Sequence, residues 1–229
     1  MNTIALDQYD AWLFDLDGTL IDSVPDLTLA VNAALQEHDL SLVDDDQVRH
    51  WVGNGSAKLI ERALQFLNVW SEDNQSQFHH AFLDAYGKVL NAKSALYPDV
   101  MALISLLKRE NKKLALITNK PQQFLPELLA RFHLDDVFEC VIGGDTLPAK
   151  KPDPLPVNHC LTELAVTQGR ALMVGDSRSD ALSAQAAGVD VCLLQQGYHQ
   201  GVDLASLNPN YLLADIAQLF SMLENAQFE

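Results

Sequence analysis

Short, almost wholly apolar runs alternate along this chain with segments whose apolar positions recur at a helical period. The runs at 11–15, 114–118, 139–142, 171–175 and 190–194 predict strands buried on both faces. Helical patterns lie near 99–110, 122–132, 154–165, 179–187 and 214–224. Alternation of this kind predicts an α/β fold, a doubly wound parallel sheet built from right-handed crossovers.

The first two strands are separated by about 95 residues without a convincing strand pattern. Apolar positions there keep a helical spacing: Leu27, Val31, Ala34 and Leu35 in one run, then Leu59, Ile60, Ala63, Leu64 and Leu67 in another. Asp22 or Ser23 is placed to cap the first helix, with Pro25 in its first turn. An insertion of this length predicts a lid or binding element. The expected organisation is a catalytic core of residues 1–22 and 93–229 and a smaller, all-helical cap of residues 23–92.

A chain of 229 residues with 48% hydrophobic and 20% charged content fits an ordinary globular protein with a substantial core. No apolar run reaches the ~20 residues a membrane-spanning helix requires, and the N-terminus lacks a signal-peptide pattern, so a cytoplasmic protein is expected. Cys140, Cys160 and Cys192 are widely spaced, which argues against a disulfide framework or zinc site. Met101 and Met173 read as core. The net charge of −16 disfavours nucleic-acid polymers and anionic membranes as partners. An anionic substrate would need a locally positive site. Oligomeric state is not set by any feature of the sequence.

The first strand ends abruptly in Asp15 and Asp17, one residue apart, followed by Gly18-Thr19. Two acids at the end of a buried strand repel each other and resist desolvation, unless a cation or a developing charge uses them. The other chemically suggestive groups, Thr118, Asn119, Lys120 and Asp176, also lie just past strand ends, where open α/β sheets bind their ligands.

Asp15-Leu16-Asp17-Gly18-Thr19-Leu20 resembles the first motif of the haloacid-dehalogenase-like hydrolases. Thr118, Lys151 in Lys150-Lys151-Pro152-Asp153-Pro154, and Gly175-Asp176-Ser177-Arg178-Ser179-Asp180 resemble the second, third and fourth motifs, in order. The resemblance implies Asp15 as nucleophile and Asp17 as general acid and base, with an aspartyl-phosphate intermediate. Asp17 would need a raised pKa, which neighbouring acids could supply. A carboxylate approaching a phosphate dianion needs a cation, and Mg2+ suits oxygen ligands. Asp15, the Asp17 backbone carbonyl and Asp176 are the implied ligands; Asp180 is favoured as an outer support over a direct ligand. Lys151, preferred to Lys150 by its Lys-Pro-x-Pro setting, would neutralise charge on Asp15 and the phosphoryl oxygens. Thr118 would donate to a phosphoryl oxygen, with Asn119 and Lys120 adding contacts.

The insert contains Gly53-Asn54-Gly55 before a helical pattern, a loop suited to anion binding. The stretch from Trp51 to Leu64 is similar to phosphoglycolate phosphatases, with Ser179 departing from the asparagine usual there. That likeness implies 2-phosphoglycolate as substrate, its carboxylate read by Gly53, Asn54, Gly55 and Lys58 or Arg62. A phosphatase of another small metabolite, a sugar-phosphate mutase and a non-catalytic metabolite sensor are the alternatives. His79-His80 read as a solvated helix face, and Asp44-Asp45-Asp46 as a helix start.

Overall fold

The computed structural model describes residues 4–225. The chain runs β1 (Ala11–Phe14), β2 (Ile21–Asp22), α1 (Val24–Gln36), α2 (Asp45–Arg49), α3 (Ser56–Phe66), α4 (Glu72–Val89), β3 (Ala95–Leu96), α5 (Val100–Arg109) and β4 (Lys113–Ile117). It continues through α6 (Leu125–Arg131), β5 (Cys140–Ile142), α7 (Leu155–Glu163), β6 (Ala171–Gly175), α8 (Arg178–Ala186), β7 (Asp190–Leu194), β8 (Tyr211–Leu213) and α9 (Ile216–Asn225).

Six strands form one parallel sheet in the order β5-β4-β1-β6-β7-β8. Alternate side chains feed two separate cores. Trp12, Phe14, Leu114, Leu116, Leu172 and Val174 pack with α5, α6 and α9 on one face. Ala11, Leu13, Ala115, Ile117, Ala171 and Met173 pack with α7 and α8 on the other. Burial on both faces explains why these strands read as continuous apolar runs instead of alternating ones.

The strand order also creates the site. After β1 the chain builds β4 and β5 on one side, then returns to build β6, β7 and β8 on the other. The connections therefore diverge at the carboxyl end of β1, leaving a crevice there. Asp15 and Asp17 stand at its centre, Thr118 on one flank and Asp176 on the other.

Helices α1 to α4 bury a third cluster that includes Leu27, Val31, Leu59, Leu64, Phe78 and Phe82. The two strands of chain leading into and out of this helical group are clasped together. β2 pairs antiparallel with β3. Buried Asp26 accepts from the backbone N–H groups of Lys93 (2.7 Å) and Ser94 (3.1 Å), and from the Ser94 hydroxyl. Those carboxylate bonds hold the start of α1 to the returning chain.

Several expectations need correction. The strands β2, β3 and β8 were not expected: β2 and β3 have two residues, too few to establish a period, and β8 has three with its central Leu212 exposed, so it lacks the continuous buried run of its neighbours. Neither Asp22 nor Ser23 caps α1 with its side chain: Asp22 binds Arg49 and Tyr198 instead, while Pro25 does occupy the first turn. Met101 is exposed on α5, whereas Met173 is fully buried. His80 is exposed, but His79 is half-buried against Ser56. Asp44 caps α2 in a reciprocal pair with Gln47, as its position at a helix start predicts. All three cysteines are free and buried, although the Cys140 and Cys160 sulfurs lie 3.2 Å apart. Among the described residues no helix is long and apolar enough to cross a membrane.

Candidate active site

The loop after β1 is built around a tight turn. The N–H groups of Thr19, Leu20 and Ile21 all converge on the Leu16 carbonyl, and Gly18 N–H donates to Ile21. Gly18 has φ +89°, and a Cβ there would strike the Asp176 carboxylate, so both conformation and space require glycine. The turn places Asp15 against Asp176 and Asp180, with one carboxylate oxygen from each within 4.8 Å of the others.

Each of these acids is held differently. Asp176 accepts from the Thr19 hydroxyl (2.7 Å) and from Tyr198 N–H (2.5 Å). Asp180 is saturated: Lys151 Nζ donates to one oxygen (2.6 Å), while Ser177 N–H (3.0 Å) and the Ser177 hydroxyl (2.6 Å) donate to the other. Asp15 Oδ1 is 2.9 Å from Lys151 Nζ yet receives no well-directed hydrogen bond, although it is buried. Burial raises the Asp15 carboxyl to about 7, with Lys151 opposing and Asp180 adding to the rise. Burial also lifts Asp176 well above the carboxylate range, reinforced by Asp15 and Asp180. Three buried, crowded acids with an under-bonded oxygen fit a hard divalent cation with oxygen ligands.

Two buried lysines balance the acids. Lys151 Nζ is held by the Ile117 carbonyl (2.6 Å), Asp180 and Asp15. Burial alone would lower its pKa, but Asp15 and Asp180 together keep it above the ordinary lysine value. Lys120 Nζ contacts both Asp17 oxygens and lies 4.8 Å from the centre of the Tyr86 ring. Lys120 is also held above the usual range, with Asp17 overcoming its burial. The neighbour of Asp17 is thus an ammonium, not the further acids expected from the sequence. Lys150, the rival of Lys151, is exposed.

Asp15, Asp17, Thr118 and Lys120 line a small pocket of about 50 Å3. Leu27, Leu59, Phe82 and Tyr86 roof it from the helical insert, and Gly53, Gly55 and Ser56 form its rim. Asn119 also lines it, with its NH2 group committed to the carbonyls of Gly53 (3.1 Å) and Lys151 (3.0 Å). Asn54 points away from this pocket into an outer groove, which also holds Lys58 and Arg62. Contacts among the side chains gather Asp15, Lys151 and Asp176 beside the pocket-lining Asp17 and Thr118, while Asn54, Lys58 and Arg62 line the outer groove, onto which Lys151 also opens. Sequence reasoning passed over Tyr86 and Tyr198, which no local pattern distinguishes from core aromatics.

The sequence profile of haloacid dehalogenase-like hydrolases matches residues 12–194, and the chain belongs to that family. Its curated relatives include a phosphoglycolate phosphatase from Psychrobacter arcticus, 44% identical over 93% of this chain and 95% of the relative. A second, from Colwellia psychrerythraea, is 39% identical over 96% of this chain and 99% of the relative. A crystal structure described as a predicted phosphoglycolate phosphatase, from Haemophilus somnus, matches with a TM-score of 0.88 and 34% identity. That match covers 94% of this chain and 98% of the other.

Proposed function

We propose that the protein is a magnesium-dependent phosphomonoester hydrolase that converts 2-phosphoglycolate to glycolate and phosphate. The observation carrying this reading is the convergence of Asp15, Asp17, Thr118, Lys151 and Asp176 at the carboxyl end of β1. Residues 1–22 with 93–229 form the catalytic core in this reading, and 23–92 the cap; residues 1–3 and 226–229 lie outside the described residues.

Asp15 attacks phosphorus in line, and the ester oxygen departs as an aspartyl-phosphate forms on Asp15. Asp17 gives the leaving oxygen a proton, then takes one from the water that hydrolyses the intermediate. For the first step Asp17 must loosen its contact with Lys120, and an incoming anionic ester offers the ammonium a rival partner. Lys151 offsets the charge of Asp15 and of the phosphoryl oxygens, while Thr118 donates to one of those oxygens. Asp15, Asp176 and the Asp17 backbone carbonyl would hold Mg2+, with Asp180 positioning Lys151 and the Asp176 loop. The ion, when bound, supplies positive charge that permits the two anions to approach.

The choice of 2-phosphoglycolate is supported by the named activity of the relatives. Backbone N–H groups at Gly53 and Gly55 and the start of α3 are the candidates to meet the substrate carboxylate. Asn119 supports that loop through Gly53.

The test is phosphate release from a panel of esters with magnesium present. The highest kcat/KM is expected for 2-phosphoglycolate. Preference for a sugar phosphate would reject the substrate assignment, and isomerisation without phosphate release would indicate a mutase. Absence of turnover on every ester would favour a metabolite sensor.

A further inference from the structure

The roof over Asp15 comes from the helical insert, so an ester reaches the nucleophile only when the insert and core part. The polar contacts across that boundary fall into two groups. On the β2 side, Arg49 pairs with Asp22 at 3.3 Å, and the backbone N–H groups of Ser23 (2.8 Å) and Val24 (3.2 Å) donate to the Tyr198 hydroxyl. These bonds lie beside the chain crossings, where little separation is required. At the rim, loop 51–55 meets the core through uncharged side chains. Asn54 Nδ2 donates to the Ser179 hydroxyl oxygen at 3.0 Å, and Gln200 Nε2 donates to Asn54 Oδ1 at 3.0 Å and to the Val52 carbonyl at 2.5 Å. Arg62, on the cap's own α3, orients the pair by donating to Asn54 Oδ1 (2.6 Å) and Gln200 Oε1 (3.3 Å).

We propose that Asn54 and Ser179 form a latch that holds the cap closed over the catalytic pocket, with Asn54 as a positioning residue that does not touch substrate. Three observations support this assignment. Gly53 (φ +121°) and Gly55 (φ +90°) flank Asn54, letting the loop skirt the pocket while the Asn54 amide turns outward. Asn54, Arg62 and Gln200 are all partly exposed, so water can replace their contacts when the cap opens. The Asn54–Ser179 and Gln200–Asn54 bonds are neutral, and although Ser179 is buried and Arg62 adds a charged donor to Gln200, they exchange for water more readily than a desolvated ion pair would break.

Ser179 also gives the latch a connection to the chemistry. It sits in the first turn of α8, between Asp176 and Asp180, both of which face the nucleophile. Closure therefore docks the cap onto the same turn that holds the acidic cluster. The hydroxyl at position 179 provides a short acceptor for the Asn54 amide.

The functional part of this inference rests on the pocket being a phosphatase site, so the test has one readout independent of turnover. Hydrogen exchange of residues 51–56 in the free protein should be several-fold faster in Ser179→Ala than in wild type. Ser179→Thr retains the hydroxyl and should restore slow exchange. In an Asn54→Ala background, Ser179→Ala should add nothing, because the partner is already absent. In kinetics with p-nitrophenyl phosphate, Ser179→Ala should raise KM about 3- to 10-fold, as expected when the closed population falls. Its kcat should be unchanged or higher, and its melting temperature should match wild type. Unchanged exchange, or additive effects of the two substitutions, would overturn the latch. If wild type hydrolyses no ester, the phosphatase reading fails, while the exchange comparison still decides whether the latch exists.

Discussion

Lys120 Nζ lies 2.9 and 3.0 Å from the two oxygens of Asp17, so the proposed proton-transfer residue carries its own counter-ion. The lysine comes from the loop after β4, the aspartate from the loop after β1. Tyr86 of the cap helix α4 covers the pair. The helical insert and the sheet's loops thus meet at the proposed proton-transfer group.

Lys120→Met keeps the aliphatic stem but removes the ammonium. Asp17 then loses its partner, and the anionic ester loses a buried cation. Activity should fall about 10- to 1000-fold, consistent with ~1.5–3 kcal/mol for a charged hydrogen bond plus the burial cost of its stranded partner. Steady-state kinetics would check this; near-normal kcat/KM would leave Lys120 a purely structural cation.

Asp15→Asn preserves shape and removes the attacking charge. Turnover should drop by several orders of magnitude with the fold intact. Acid-quenched wild type should carry phosphate on Asp15, and the variant should carry none. Normal turnover in a preparation free of wild-type or deamidated enzyme would eliminate the covalent route.

Asp15 also predicts a pH dependence of stability. Its folded pKa of about 7 exceeds the usual carboxyl value near 4, so the folded form binds the proton more tightly. The associated stabilisation is present below about pH 4 and is lost as pH rises to about 7. Asp176 acts in the same direction. In metal-free protein, the fall in melting temperature over this range should be shallower for Asp15→Asn than for wild type. Parallel curves would show that another group controls the slope.

Metal binding should separate the acids. Asp176→Ala should abolish detectable Mg2+ binding by calorimetry, because it deletes a proposed carboxylate ligand. Asp17→Asn should retain binding, since only its backbone carbonyl is assigned to the ion. Equal losses in the two variants would refute that division of roles.

Gly55 tests the rim of the pocket. A Cβ there would lie 2.8 Å from Lys150 Nζ and 3.3 Å from the Asn119 carbonyl oxygen, on a backbone at φ +90°. Gly55→Val should therefore displace the loop. Its loss of kcat/KM should be larger for 2-phosphoglycolate than for p-nitrophenyl phosphate, by a factor equivalent to ~1–3 kcal/mol for an unmade hydrogen bond. Equal losses would mean that this loop does not read the carboxylate.

The sequence by itself determined the α/β class, five of the six strands of the main sheet and the helical character of the insert. These depend on period and run length, which are local properties. It also picked out Asp15, Asp17, Thr118 and Asp176, because polar groups at the ends of apolar strands stand out against their surroundings, while Lys151 was marked by its resemblance to the third motif of the family. Only the tertiary structure decided which partners those groups have. Strand order brought Lys120 onto Asp17 from 103 residues away, and the packing of α8 placed Ser179 against Asn54 from 125 residues away. It likewise turned Asn54 outward and kept Lys58 and Arg62 in the outer groove. A side chain's type is written at its own position, but its direction and neighbours follow from how distant elements pack, and no local pattern encodes that distance.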